Sequence, residues 1–293
     1  MCLSREAAML TVLAPAKLNL TLEVLSVRPD GFHEVRSVAQ TISLCDSLHF
    51  YLSQNIEFRC DAADWIPEES LISRAVSLLR DTTGCSKGAG IEVKKRIPLM
   101  SGMGGDSSGA AATLWGLNKL WDLGLAYSEL ADLAIQLGSD VAFFLCGGTA
   151  LLQGSGEIVT PLPPSPHMWV VLLVPSGPRP RGKTGKLYAS LEARHYTDGQ
   201  ITEKLVNMMR EGRGFTSSDL FNTFENVADT QFPGLSVYRE HILKVGAAGL
   251  HLAGSGPSLF TMIEDMTRAE DLYVRLKQQG LESYLTETLI AID

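Results

Sequence analysis

The sequence predicts an α+β chain in two halves. Three observations carry that reading: a strictly alternating strand at residues 17–24, a strand–glycine loop–helix passage across 90–121, and a proline-dense stretch at Pro161–Pro166 (PLPPSP). The last marks the division, into residues 1–163 and 164–293. With 293 residues, 45% hydrophobic and 20% charged, the chain can bury an interior of ordinary soluble composition. A net charge of −8 without a long basic run argues against nucleic acid as partner, because phosphate backbones are held by clustered Lys and Arg. No stretch approaches the roughly 18 uninterrupted apolar residues of a membrane span. Five scattered cysteines with no C-x-x-C pair read as reduced thiols of a cytoplasmic protein.

The elements follow in order. Ala7–Ala16 is apolar and ends in an A-P-A resembling a signal-peptidase site, but Glu6 cancels Arg5 and the pattern continues into the first strand. In that strand Leu18, Leu20, Leu22 and Val24 form one face and Lys17, Asn19, Thr21 and Glu23 the other, so one buried face is expected. After the RPDGFH turn at Arg28–His33, residues 34–60 read as further strands. Residues 69–82 have helical spacing and stop at Gly84. A strand at 90–96, an alanine-rich helix at 107–121 and a helix at 128–137 with Ser128 as N-cap come next. Residues 148–160 read as a hairpin. The second half alternates: strand 168–174, helices near 184–194, 198–211 and 233–244, strands 248–252 and 258–263, helix 267–280, strand 283–291.

The strongest chemical signal is Pro98–Ala112 (PLMSGMGGDSSGAAA). Gly102, Gly104 and Gly105 let successive N–H groups point into one concavity, and the following helix adds its N-terminal N–H groups and dipole. Ser107 and Ser108 add hydroxyl donors or a metal ligand, so the segment suits a phosphate chain; the plainer alternative is a flexible loop before an ordinary helix. A second match, Gly177–Thr184 (GPRPRGKT), satisfies G-x-x-x-x-G-K-[ST] literally. Pro178 and Pro180 lack the N–H groups such a loop works with, and the only hydrophobic run ending in Asp, LIAID, stops at Asp293. Asp140 stands in an otherwise apolar run, either as a helix-start carboxylate or as a group to be paired with a cation such as Lys17. Gly254–Ser258 reads as a tight turn, and the histidines show no ligand spacing.

Taken together, PAKLNLTLEV at 15–24, RPDGFHEVRS at 28–37, the glycine-serine loop at 98–112, LGSDVAFFLCGGTALLQGSGE at 137–157 and HLAGSGPSLF at 251–260 resemble the GHMP kinases. The first two are most similar to the branch that phosphorylates a cytidine-diphosphate-linked polyol. The resemblance implies a ribosomal-protein-S5-like N-terminal domain, a ferredoxin-like C-terminal domain and an active site in the cleft between. It implies ATP held by Pro98, Ser101, Gly102, Met103, Gly104, Gly105, Asp106, Ser107, Ser108 and Gly109, with Mg2+ at Ser107. Lys17 and Asp140 become the catalytic pair, and Asn19, Phe32, His33 and Thr184 line the pocket for the polyol. Gly254–Gly256 buttresses the phosphate loop, and Thr184 faces the organic substrate, not a second phosphate loop. Phe32 stands where the family has Tyr, Asp106 where it has Gly, and Ser70 where Asn meets the adenine. The expected protein is a cytoplasmic monomer or weak homodimer, with no nucleic-acid or membrane partner. The alternatives are another GHMP kinase of homoserine or mevalonate type, a P-loop NTPase using Gly177–Thr184, or a non-catalytic regulator, which would lack Lys17 or Asp140.

Overall fold

A computed structural model describes residues 9–177, 179–180 and 182–290. Cys2, one of the five cysteines, and Arg5, Glu6, Ala7, Ala8, Pro178, Arg181, Ala291, Ile292 and Asp293 of the segments read above lie outside the described residues. In chain order the elements are β1 (Leu10–Val27), β2 (His33–Ser53), β3 (Ile56–Cys60), α1 (Leu71–Thr83), β4 (Gly88–Lys94), α2 (Gly105–Leu120), α3 (Tyr127–Leu137), α4 (Ser139–Cys146), β5 (Thr149–Gln153), β6 (Ile158–Pro161), β7 (Trp169–Leu173), α5 (Lys183–Ala189), α6 (Gln200–Arg210), β8 (Phe221–Asn222), α7 (Ala228–Gln231), α8 (Leu235–Val245), β9 (His251–Leu252), β10 (Leu259–Ile263), α9 (Met266–Gln278) and β11 (Ser283–Glu287). None of the described helices is long and apolar enough to cross a membrane. All four described cysteines, Cys45, Cys60, Cys85 and Cys146, are free thiols.

The chain forms two compact units. The first comprises the residues up to Pro15, Cys45–Leu99 and Gly105–Leu145; the second comprises Ala16–Leu44, Met100–Gly104 and everything from Cys146 on. Strands β1 and β2 therefore each contribute residues to both.

In the first unit, β3 lies parallel to β4, and β4 runs antiparallel to the end of β2, with Phe50 opposite Ile91. Helices α1 and α2 approach closely, since a methyl added at Gly109 would lie 2.9 Å from Ile72 Cδ1. Leu48, Phe50, Leu79, Ile91, Leu114, Trp121 and Phe143 fill the interior. The Trp121 indole N–H, which burial would leave unpaired, donates to Gly88 O at 3.2 Å. Helix α3 corrects the expected N-cap: Ala126 occupies that position, and the Glu129 carboxylate accepts its N–H at 2.8 Å. Satisfying the orphan donor from the third helical residue leaves Ser128 inside the first turn.

In the second unit, β5 pairs antiparallel with the first half of β2 and with β6, while β8 lies parallel to β1, Thr21 opposite Phe221. A separate antiparallel sheet runs β11-β7-β10-β9. Val171, Leu173, Leu252, Leu259, Leu272 and Leu276 belong to one core cluster with Leu22 and Val24 of β1. The helix expected near 184–194 breaks into α5 and a short 3-10 turn at Ala193–His195.

β1 departs from its expected single buried face, because both faces are buried. Lys17, Asn19, Thr21 and Glu23 are each at most 4% exposed. Hydrogen bonds make this affordable: Thr202 N donates to Glu23 Oε2 at 2.6 Å and Thr202 Oγ1 to Thr21 Oγ1 at 3.0 Å. Alternation in sequence separates side-chain types, but it does not tell water from a polar neighbour as the partner of the polar face.

Candidate active site

In the second unit, the polar face of β1 supplies Lys17 and Asn19. The Lys17 ammonium donates to Asn19 Oδ1 at 2.8 Å, Asn19 Nδ2 donates to Ser37 Oγ at 2.7 Å, and the Ser37 hydroxyl donates to Thr21 O at 2.5 Å. The asparagine is therefore locked by β2, and it holds the lysine in turn.

Met100–Gly104, the middle of the glycine-serine loop, sits against this strand and against the turn between β9 and β10. Lys17 N donates to Met103 O at 3.0 Å, and Ser258 N donates to Ser101 O at 3.3 Å. Gly102 has φ +91°, and a Cβ there would lie 2.2 Å from Ala253 O and 2.7 Å from Gly256 N. A Cβ on Gly254 would lie 2.6 Å from Gly102 O and 3.3 Å from Asn19 Oδ1. Backbone thus lies on backbone, which only glycine permits. The turn at Gly254–Gly256, a bare turn by its sequence, is packed directly against the loop.

The rest of the loop belongs to the first unit. Pro98 follows a well-anchored corner: Asp46, 1% exposed, accepts Arg96 N at 2.7 Å and Ile97 N at 2.8 Å and pairs with the Lys95 ammonium. From Gly105 the chain enters α2, so Gly105, Asp106, Ser107 and Ser108 form its first turn, with its unpaired N–H groups and positive dipole end. Ser108 Oγ is buried and has no hydrogen-bond partner among the described residues. An orphaned donor in the first turn of a 16-residue helix fits the oxygens of a phosphate group. The Asp106 carboxylate accepts Leu71 N at 3.2 and 3.1 Å and so caps α1. Its charge, expected beside the phosphates, is engaged by a helix terminus. Ser70 has a similar duty, its Oγ accepting Ser73 N at 3.2 Å as the N-cap of α1. Among the described residues no group of three or more His, Cys, Asp and Glu is arranged to hold a metal. Mg2+ commonly binds through one or two protein oxygens plus substrate phosphates, and Ser107 can supply a protein oxygen. Asp140 lies in the first turn of α4, ahead of buried Val141, Phe143 and Phe144.

The remaining predicted residues are Phe32 in the turn before β2, His33 at the start of β2 and Thr184 on α5. Phe32 is 64% exposed, so it anchors no core. The His33 ring stacks on Tyr188 of α5 at 4.6 Å between centroids, with Tyr196 edge-on at 6.2 Å. Burial lowers the His33 pKa and favours the neutral imidazole, which offers one donor and one acceptor. Tyr188 ends the T-x-x-x-Y run that begins at Thr184, the segment that the resemblance turns toward the organic substrate. Thr184 Oγ1 donates to Ser255 Oγ at 2.9 Å.

The second phosphate-loop match does not form a cradle. The Lys183 ammonium donates to Ser255 O at 3.2 Å, to Ser255 Oγ at 2.8 Å and to Gly256 O, which uses all three N–H donors on protein. A P-loop lysine needs at least one of them for phosphate, so the NTPase alternative fails here.

Two family models match the chain: the GHMP kinases N terminal domain over residues 70–148 and the GHMP kinases C terminal over residues 202–281. A 4-diphosphocytidyl-2-C-methyl-D-erythritol kinase from Dehalococcoides mccartyi is 48% identical over 285 residues, 97% of this chain and 100% of that protein. A relative of the same name from Symbiobacterium thermophilum is 39% identical, covering 94% of this chain and 98% of its own. Among solved structures, a 4-(cytidine 5'-diphospho)-2C-methyl-D-erythritol kinase superposes with TM-score 0.80 at 29% identity, covering 95% of this chain and 99% of that one. Homoserine kinase from Cytophaga hutchinsonii, at TM-score 0.72, 17% identity and coverage of 100% and 98%, shares the fold.

Proposed function

The chain belongs to the GHMP kinase family, and from that membership we propose that it transfers the γ-phosphoryl group of ATP to the 2-hydroxyl of 4-diphosphocytidyl-2-C-methyl-D-erythritol, a step of non-mevalonate isoprenoid synthesis. Phosphoryl transfer asks for in-line positioning and charge neutralisation more than covalent chemistry. The residues from Pro98 to Gly109 hold the triphosphate with backbone N–H groups, the α2 terminus and the serine hydroxyls. Ser107 would meet Mg2+ carried with the nucleotide, which would supply charge neutralisation on the phosphates. Asp140 accepts or orients the proton of the attacking hydroxyl. Lys17, steered by Asn19, offsets charge developing on the transferred group. Thr184 and Asn19 orient the polyol. The enzyme acts in the cytoplasm as a monomer or weak homodimer.

The observation that carries the substrate is the aromatic turn. Phe32 is solvent-facing beside a neutral His33 backed by Tyr188, which suits stacking on a flat base and reading its edge. Homoserine and mevalonate carry no base for such a group. An ATPase-coupled assay against a panel of alcohols tests the reading. Turnover with the cytidine-bearing polyol is expected, and equal or greater turnover with homoserine or mevalonate would refute it.

A further inference from the structure

Lys183 is the residue of the rejected phosphate loop for which the reaction above has no use. It opens α5 and is 7% exposed. All three of its donors converge on one turn, at Ser255 O, Ser255 Oγ and Gly256 O, and the next residue, Thr184, bonds the same Ser255 hydroxyl. That turn is the one whose Gly254 and Gly256 press on Gly102 and Asn19. Burying an ammonium costs heavily unless every donor is met, and an apolar side chain would avoid the cost. A lysine kept here is a device for geometry more than for stability.

We infer that Lys183 is a positioning residue for phosphoryl transfer: its ammonium clasps the Ser255–Gly256 turn and so fixes Thr184 on α5 relative to the Gly102 stretch and the Asn19–Lys17 pair. The inference rests on the kinase reading above. The Gly102 stretch has other supports, Lys17 N to Met103 O and Ser258 N to Ser101 O, that do not involve α5. Loss of the clasp therefore releases Thr184 and the polyol, while the nucleotide keeps its seat.

The clasp also carries a pH signature. Burial first, then the nearby cations Lys17 of β1 and Arg179 of the segment before α5, lower the Lys183 pKa to about 8. As pH rises through that value the amine loses one of its three donors, and the clasp weakens. Stability moves the other way, because a lysine whose folded pKa lies below its unfolded one favours the folded state increasingly as pH rises above the folded value. Catalysis and stability thus respond with opposite sign, which a purely structural lysine would not produce.

The test compares parent, Lys183→Met and Lys183→Arg, each as the full chain, by steady-state kinetics on either side of pH 8, calorimetry with a non-hydrolysable ATP analogue, and thermal melting. Lys183→Met is expected to lower kcat/KM for the polyol by about 10- to 100-fold, the scale of mispositioning, while nucleotide affinity stays within about threefold. Lys183→Arg, charged throughout, should keep most of the activity and lose the alkaline fall that the parent shows. Parent-like kinetics in Lys183→Met, an alkaline fall retained in Lys183→Arg, or a loss that merely tracks the unfolded fraction each overturns the clasp. A parent inactive on the polyol but active on another alcohol overturns the substrate assignment instead, and the clasp is then judged by the same comparison on that alcohol.

Discussion

Replacing Gly102 by alanine should damage both the fold and nucleotide binding, and the size of the effect can be worked from the packing. The added Cβ would lie 2.2 Å from Ala253 O, 2.7 Å from Gly256 N and 2.9 Å from Gly256 O. These are backbone atoms of a turn closed by Ala253 N to Ser258 O and Gly256 N to Ala253 O, both at 2.8 Å, so no side-chain rotation relieves the overlap. The left-handed backbone at φ +91° adds roughly 1–2 kcal/mol for any residue with a Cβ. Overpacking adds about 1–3 kcal/mol. Against this stands a gain of only about 0.4–1 kcal/mol from a less flexible unfolded chain. The net loss is about 3 kcal/mol, which lowers Tm by roughly 6–12 °C in a chain of this size. Nucleotide affinity should fall at least about tenfold, because even half of that energy spent on displacing the loop is worth a decade. Gly109→Ala is the control for stability alone. It lies within α2 and meets only the flexible end of Ile72, and the helix gains up to about 1 kcal/mol from the added methyl, so its melting should be near the parent's. Melting curves of both variants and calorimetric titration of Gly102→Ala decide the matter. A Gly102→Ala protein that melts within about 2 °C of the parent and binds nucleotide within about twofold would refute the backbone-on-backbone account.

Asp140→Asn should lower turnover at least ~10²-fold while nucleotide binding survives, and turnover within about threefold of the parent would remove the residue from the mechanism. Phe32→Ala should reduce catalytic efficiency with the cytidine-bearing polyol by roughly one to two decades, the worth of a stacked base. Because the ring is 64% exposed, Tm should hardly move, and Phe32→Tyr should be near neutral; a large Tm drop, or undiminished efficiency, counts against the stacking role. Asp106→Ala removes the acceptor for Leu71 N and should cost about 0.5–2 kcal/mol of stability, with nucleotide affinity no weaker; an unchanged melting curve would show the cap to be idle.

Much of this architecture was legible in the sequence because it rests on local rules. The alternation from Lys17 to Glu23, the glycine-serine run entering an alanine-rich helix, and the stop at Gly84 each reflect backbone preferences acting over a few residues. What escaped depends on partners distant in the chain. Burial of the Glu23 face needs Thr202, the duty of Asp106 needs Leu71, and the Lys183 clasp needs Ser255 and Gly256. Tyr188 stands in the T-x-x-x-Y segment that the resemblance turns toward the substrate, but its stacking on His33 joins residues 155 positions apart. The literal motif match at Gly177–Thr184, weak already for its prolines, fails for a second reason that only the fold supplies, since its lysine is held by the Ser255–Gly256 turn.

The parallel pairing of β1 with β8 has a consequence for synthesis. Thr21 finds Phe221 only 200 residues later, so at ribosomal rates of about 5–20 residues per second this edge of β1 waits roughly 10–40 s for its neighbour. Throughout that interval a nascent strand with leucines at 18, 20 and 22 presents unpaired backbone to whatever it meets. The enzyme's yield in a cell is therefore set partly by what shields one edge of one strand before residue 222 has emerged.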